Sequence, residues 1–307
     1  MADQAHRTQR ANQAELVDAV QRLIAAQTQS QANVLTHETL PGGCINWAQC
    51  FQLENGNRYF VKSNQDIPGI FQAESDGLKA IASTESFRVP EVIGLGETES
   101  GTQFLVLEFI ASSSPSENFN QQFGRQLAQL HRADHKESRF GFPADNFIGS
   151  TVQKNAWHHD WVEFFAVQRL GFQLKLANQN GLATSELNKM CDKLINRLDR
   201  FIGPSSDSPA LIHGDLWSGN YLISSAGTPV LIDPAAYFGD RESEFGMTKL
   251  FGGFNSEFYH AYNEAYPLAE GWEQRVEIYQ LYHLLNHLNL FGTSYISACL
   301  QILRKLL

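Results

Sequence analysis

Leu16, Val17, Val20, Leu23 and Ile24 recur at steps of three and four, the spacing that predicts an amphipathic helix. Residues 1–12 before them are polar and read as a frayed or disordered tail. The period then changes. Residues 48–53 and 58–62, rich in β-formers, flank the turn Glu54-Asn55-Gly56-Asn57 and predict a hairpin. A helix follows over about 71–82. Residues 89–96 and 103–109 form a second extended pair around the polar turn 97–101. With the first pair they predict an antiparallel sheet of about five strands.

Ala111-Ser112-Ser113-Ser114-Pro115-Ser116 has the composition of a linker. It divides the chain into a first lobe, 1–112, and a second, 113–307. Helical periods dominate the second lobe, over about 118–133, 157–180, 185–202 and from 241 onward, broken by strand-like runs at 221–224 and 230–232. The expected class is α+β, bilobal: a sheet plus helix first, a mainly helical lobe after it.

Composition narrows the function. Of 307 residues, 33 are acidic and 23 basic, a formal charge of −10, and no Lys/Arg run supplies the stripe that nucleic acid requires. Nucleic acid is not expected as a partner. Cysteines 44, 50, 191 and 299 form no CxxC pair, so neither a disulfide framework nor structural zinc is expected. The first residues lack a signal-peptide core and no apolar run is long enough for a membrane span. The expectation is a cytoplasmic chain without a membrane partner; its oligomeric state is not legible.

The chemistry is concentrated in Leu211-Ile212-His213-Gly214-Asp215-Leu216-Trp217-Ser218-Gly219-Asn220 and Val230-Leu231-Ile232-Asp233-Pro234. Phosphoryl transfer to an alcohol needs a carboxylate that orients the hydroxyl and takes its proton, and oxygen ligands that hold Mg²⁺ on the ATP phosphates. Asp215 suits the first role, Asn220 and Asp233 the second. An isolated His-Gly-Asp is more often a chance turn. The added Asn220 and the strand-borne Asp233 favour a kinase with a protein-kinase-like fold.

Such a kinase needs a lysine on a first-lobe strand and a helix carboxylate to hold it. Lys62, in Tyr59-Phe60-Val61-Lys62, and Glu74, in the following helix, fill those places, with Asp76 as a competitor for Glu74 and a solvated lysine as the bland reading. Gly42 and Gly43 lie where a loop over the nucleotide would fall, although Pro41-Gly42-Gly43-Cys44 is not GxGxxG. Glu108, Phe109 and Ile110 end the last strand where backbone would meet adenine. Trp217 is placed to stack on a sugar. Trp157, Trp161 and Phe164 recur near helical spacing and suit a core, Trp161 above all. His283 and His287 share a helical face, and packing outweighs ligand binding for both. Cys44 is a candidate oxidant-sensitive thiol, against the commoner inert one. The arginine that senses activation-loop phosphate is absent from His213-Gly214-Asp215, so that form of regulation is not expected.

With these residues, the chain resembles the fructosamine kinase (ketosamine 3-kinase) family, in the group that includes aminoglycoside and choline kinases. The resemblance covers nearly everything after residue 13. It rests on His213 to Asn220 with Trp217, on the run from Asp233 to Glu242, on Leu250-Phe251-Gly252-Gly253-Phe254, on Leu281 to His287, and on Phe140 to Ser150 with Asn155, Trp157, Asp160 and Trp161. It implies transfer of the ATP γ-phosphate to the 3-hydroxyl of ketosamines of fructosamine or ribulosamine type, in protein deglycation. Asp215 would be the base, Asn220 and Asp233 metal ligands, Lys62 and Glu74 the phosphate-holding pair, and Trp217 would face the acceptor. Many members carry Gly-His-Arg-Glu where this chain has Gly239-Asp240-Arg241-Glu242. The competing readings are a kinase of an aminoglycoside or choline-like amine and a non-catalytic ATP-binding regulator. The second is weakened because Lys62, Asp215, Asn220 and Asp233 are all chemically competent.

Overall fold

The computed structural model describes residues 2–40, 46–203 and 208–307, with side chains from residue 12 onward. The chain divides into two compact units, 1–79 with 90–112, and 80–89 with 113–307.

The first unit is an antiparallel sheet with two helices. Helix α1 (Ala2–Thr28) precedes strands β1 (Val34–Thr39), β2 (Trp47–Leu53) and β3 (Arg58–Asn64); helix α2 (Ile70–Ala82) follows, then β4 (Val92–Glu97) and β5 (Gln103–Glu108). The spatial order is β1-β2-β3-β5-β4. Thus α1 starts N-terminal to the apolar spacing, which marks only the part that packs: Leu16, Val20 and Ile24 cover Phe51, Leu53, Val61, Phe104 and Val106. The hairpin turns where Gly56 takes φ +85° and Asn55 Oδ1 accepts from Asn57 N at 3.0 Å. Because side chains alternate along a strand, Lys62 faces away from the α1 side, in register with Leu105 and Ala48.

The second unit is mainly helical. Its helices are α3 (Phe119–Arg132), α4 (Trp161–Phe164), α5 (Phe172–Gln179), α6 (Ser185–Ile195), α7 (Glu244–Phe251), α8 (Ser256–Ala265), α9 (Trp272–Phe291) and α10 (Ile296–Leu306). Three antiparallel pairs of short strands join them: β6 (Asn146–Ile148) with β7 (Thr151–Gln153), β8 (Ala210–Ile212) with β11 (Tyr237–Gly239), and β9 (Tyr221–Ile223) with β10 (Pro229–Leu231). Helix α9 is buried on most of its circumference from Val276 to Leu288, the polar His283 and Asn286 included. Helices α3 and α8 approach so closely that a Cβ at Gly124 would lie 2.2 Å from Phe258 O. Phe123 beside it meets the rings of Phe87, Phe119, Tyr221, Phe254 and Phe258. Truncating such a ring to alanine costs about 3–5 kcal/mol.

The long helix expected over 157–180 differs in two respects. It starts at Trp161, because Asp160 accepts from Glu163 N at 2.7 Å and caps it. Between α4 and α5 it winds as a π-helix over Phe165–Gly171. The helix expected over 185–202 ends at Ile195, followed by a 3₁₀ turn over Leu198–Arg200.

Candidate active site

In the first unit, β3 presents Lys62 and α2 presents Glu74. Their Nζ and Oε1 lie 2.8 Å apart with both residues buried. Asp76, the competitor, is engaged instead by Gln72 on the same helix. At the end of β5, Glu108 Oε2 accepts from Glu91 N, and the Arg58 guanidinium lies 3.8 Å from the Phe109 ring centre. Neither Phe109 nor Ile110 donates its backbone N–H to another described residue. Gly42, Gly43 and Cys44 lie outside the described residues.

In the second unit, the segment after β8 turns sharply. Gly214 takes φ +82°, and a Cβ there would lie 2.2 Å from Ala235 O, so only glycine lets the two chains approach. The Asn220 amide folds back onto Asp215, donating to its backbone O at 2.8 Å and its Oδ2 at 2.9 Å. The β9–β10 ladder, extended by Ile232 N donating to Asn220 O at 3.1 Å, returns the chain to Asp233. Asp233 has φ +53°, a left-handed conformation that aspartate tolerates better than most residues.

His213 braces this turn. Its Nε2 donates to Ile232 O at 2.9 Å, while Nδ1 accepts from Asp215 N at 3.3 Å, which fixes the neutral tautomer. Burial pushes its pKa down, against the pull of Glu244, and agrees with a neutral ring. Glu244, buried at the start of α7, accepts from His213 N at 2.5 Å and Gly214 N at 3.1 Å. Its role is absent from the sequence reading. The signal available was a carboxylate closely following Arg241-Glu242 in an otherwise apolar helix start. Glu242 itself pairs with Arg275, at 2.6 and 2.7 Å. Asp240 accepts from Glu242 N at 2.9 Å and caps the 3₁₀ turn before α7.

Burial pushes the Asp215 carboxyl up to about 8; the Asn220 hydrogen bond opposes the rise, and the charges of Asp233 and Glu244 add to it. A cation held by the neighbouring oxygens acts in the opposite sense and favours the carboxylate.

Trp217, in the same loop, lies 6.3 Å from the Phe251 ring, and Phe251 stacks on His287 at 4.6 Å. His287 donates Nδ1 to His283 O at 2.7 Å, leaving Nε2 as the acceptor of a ring that burial keeps neutral. His283 is buried. Trp161 is a core residue, its Nε1 donating to Tyr279 OH at 3.2 Å.

Residues 16–307 match the sequence profile of the fructosamine kinases. The chain belongs to the fructosamine kinase family. A relative from Oryza sativa subsp. indica named protein-ribulosamine 3-kinase, chloroplastic, is 42% identical over 278 residues, 90% of this chain and 80% of its own. A probable ketoamine kinase of Vibrio vulnificus is 42% identical over 272 residues, covering 87% and 91%. The crystal structure of a putative fructosamine-3-kinase from Haemophilus somnus superposes with a TM-score of 0.85 at 29% identity, covering 94% of this chain and 97% of that one. The fold of this fructosamine kinase is protein-kinase-like, as its sheet and helices require. Among the described residues no helix is long and apolar enough to cross a membrane.

Proposed function

We propose that the chain transfers the γ-phosphoryl group of ATP to the 3-hydroxyl of ketosamines, the adducts that sugars leave on amines. The observation that carries this reading is the orientation of Asn220 against Asp215. The amide N–H₂ is committed to Asp215, so Asn220 Oδ1, which makes no hydrogen bond with the described residues, is left as a hard oxygen donor.

That donor set suits Mg²⁺. No group of three or more His, Cys, Asp or Glu side chains forms a metal cage among the described residues. Mg²⁺ instead takes one or two protein oxygens and completes its shell with nucleotide phosphates and water. Asn220 and Asp233 would hold it, and the bound ion would neutralise charge on the phosphates.

Asp215 orients the acceptor hydroxyl and takes its proton as the new O–P bond forms; the bond between the γ-phosphorus and the bridging oxygen breaks, and ADP leaves. Lys62, held by Glu74, binds the nucleotide phosphates. Glu108, Phe109 and Ile110 meet adenine, with the open N–H groups of Phe109 and Ile110 as donors. Trp217 and His287 receive the acceptor, one by stacking and one by accepting a hydrogen bond. The described cysteines Cys50, Cys191 and Cys299 are free and buried, which suits a reducing compartment such as the cytoplasm.

The test is ATP consumption against fructosamines, ribulosamines, aminoglycosides and choline, with the phosphorylated position assigned by NMR. Turnover confined to ketosamines, with phosphate on O3, is expected. Turnover of choline or an aminoglycoside alone, or of none of them, overturns the reading.

A further inference from the structure

The core of the second unit contains a guanidinium without an acid among the described residues. Arg169, from the π-helical turn Phe165–Gly171, is fully buried, and among the described residues no carboxylate pairs with it. Its Nη1 donates to Lys154 O and Gln168 O. Its Cζ lies 3.9 Å from the Tyr237 ring centre, 4.6 Å from that of Phe164 and 5.6 Å from that of Tyr282. Removing a cation from water is costly, and carbonyls with ring faces return only part of that.

Its remaining bond begins a directed chain. Arg169 Nη2 donates to Asn155 Oδ1 at 2.9 Å; Asn155 Nδ2 donates to Asn146 Oδ1 at 2.8 Å; Asn146 Nδ2 donates to Ala236 O at 2.7 Å. A parallel branch starts at Tyr282, whose hydroxyl donates to Gln153 Oε1 at 2.7 Å. Gln153 Nε2 then donates to Ala235 O at 2.9 Å and to Asn146 Oδ1 at 2.9 Å. Asn146, Gln153 and Asn155 are all at most 3% exposed. Both branches end on the carbonyls of Ala235 and Ala236, and along each the acceptor of one bond belongs to the amide that donates the next, an arrangement in which each bond polarises the next, although Asn155 Nδ2 also donates to Ala144 O at 3.1 Å.

Those carbonyls belong to the backbone that follows Asp233. The Ala235 peptide is also tied to the other loop, its N–H donating to His213 O at 3.0 Å and its carbonyl filling the space a Cβ at Gly214 would need. We infer that Arg169, Asn155, Asn146, Gln153 and Tyr282 are positioning residues: a buried, cation-ended hydrogen-bond network that holds Asp233 in its left-handed conformation and sets its place relative to Asp215. The inference rests on the reading of Asp233 as a metal ligand. No member of the network touches substrate; it acts through the carbonyls of Ala235 and Ala236.

The experiment compares Gln153→Met, Asn146→Ala, Asp233→Asn and the control Tyr279→Phe. Tyr279→Phe removes a buried hydrogen bond of the same unit, from Trp161, that does not lead to the loop. Each purified variant is titrated with Mn²⁺ in the presence of a non-hydrolysable ATP analogue and followed by electron paramagnetic resonance, with Tm and steady-state kinetics measured in parallel. Gln153→Met and Asn146→Ala are expected to weaken Mn²⁺ about 10–100-fold, the effect of removing partners that orient a metal ligand, with the acceptor KM within about twofold of the wild type. Tyr279→Phe is expected to lower Tm and leave Mn²⁺ affinity unchanged. If Gln153→Met is not recovered folded, Tyr282→Phe, which removes one hydroxyl and keeps the ring, takes its place. Normal Mn²⁺ affinity in the folded network variants while Asp233→Asn loses it overturns the network. Loss that follows Tm equally in Tyr279→Phe does the same. Normal affinity in Asp233→Asn removes the metal reading, and the inference with it.

Discussion

Asn220 Nδ2 reaches Asp215 twice, at its backbone oxygen and at Oδ2, over 2.8 and 2.9 Å. One amide thereby fixes the χ angles of the carboxylate and aims its own oxygen elsewhere. Asp215→Asn presents an amide where Asn220 expects an acceptor and removes the base. Turnover should fall about 10²–10⁴-fold, the share of a positioned general base, while the ATP dissociation constant changes little. Calorimetric ATP binding beside single-turnover kinetics checks both; near-normal kcat would remove Asp215 as the base.

Asp233→Asn keeps the shape of the loop and removes a charge from the proposed ligand pair. Metal affinity should drop by more than the roughly 10–100-fold that an outer partner supplies, and kcat should partly recover at high Mg²⁺. The dependence of rate on free Mg²⁺ at saturating ATP reads this directly, and an unshifted midpoint would exclude Asp233 as a ligand.

Lys62 and Glu74 form a buried ion pair, and Lys62→Met removes one of its charges. Lys62→Met should cost about 3–5 kcal/mol of stability and raise the ATP KM. The double variant Lys62→Met with Glu74→Leu should regain most of the stability and none of the ATP affinity. Urea unfolding separates the two effects; recovery of ATP affinity in the double variant would contradict the assignment of Lys62.

Gly219 lies against Trp217: a Cβ there would come within 2.4 Å of the indole. Gly219→Ala should therefore displace the ring and raise the acceptor KM roughly 2–10-fold, in line with about 0.5–1.5 kcal/mol for an aromatic contact, without changing the ATP KM. Equal change in both constants would mean that the loop as a whole has moved.

His283 is buried, and burial first, then the His287 and Arg169 charges, pushes its pKa down to about 3 from an ordinary value near 6.5. His131 and His213 are displaced in the same direction by burial, although Glu244 pulls both the other way. In the unfolded chain these rings bind protons from about pH 6.5 downward, and in the folded chain only at lower pH. Unfolding therefore takes up protons, and stability falls as pH drops below 6.5, with the His283 share continuing to about pH 3. Each ring contributes up to about 1.4 kcal/mol per pH unit. Denaturant unfolding between pH 7 and 4.5 should show that slope reduced by about one proton in His283→Leu; an unchanged slope would exclude His283 as a contributor.

Four strands of the first unit were legible because they are long enough to show a period and their hairpin carries a glycine turn; β1 (Val34–Thr39), almost wholly exposed, and the start of α1 at Ala2 in the polar stretch read as frayed were not. The pattern of Asp215, Asn220 and Asp233 was legible because spacing and local turns are encoded within one short stretch. The strands at 146–148, 151–153, 210–212 and 237–239 were not, since three residues cannot establish an alternation. Glu244 escaped because its partners are backbone amides, which leave no mark on the side-chain sequence at 213 and 214. Arg169 escaped for a similar reason: a buried arginine without an acid is read from sequence as a solvated one.

The wide turn over Phe165–Gly171 also affects how related chains can be compared. Its carbonyls reach one residue further along the chain than in an α-helix, and a Cβ on Gly171 would lie 2.8 Å from Ala166 O. Deleting one residue here would restore ordinary winding and leave the turns on either side in nearly the same phase, because the wide turn is what accommodates one extra residue. Alignments that assume an unbroken helix will slip by one position at this turn, and only chains with glycine at the place of Gly171 can retain the wider winding without displacing that carbonyl.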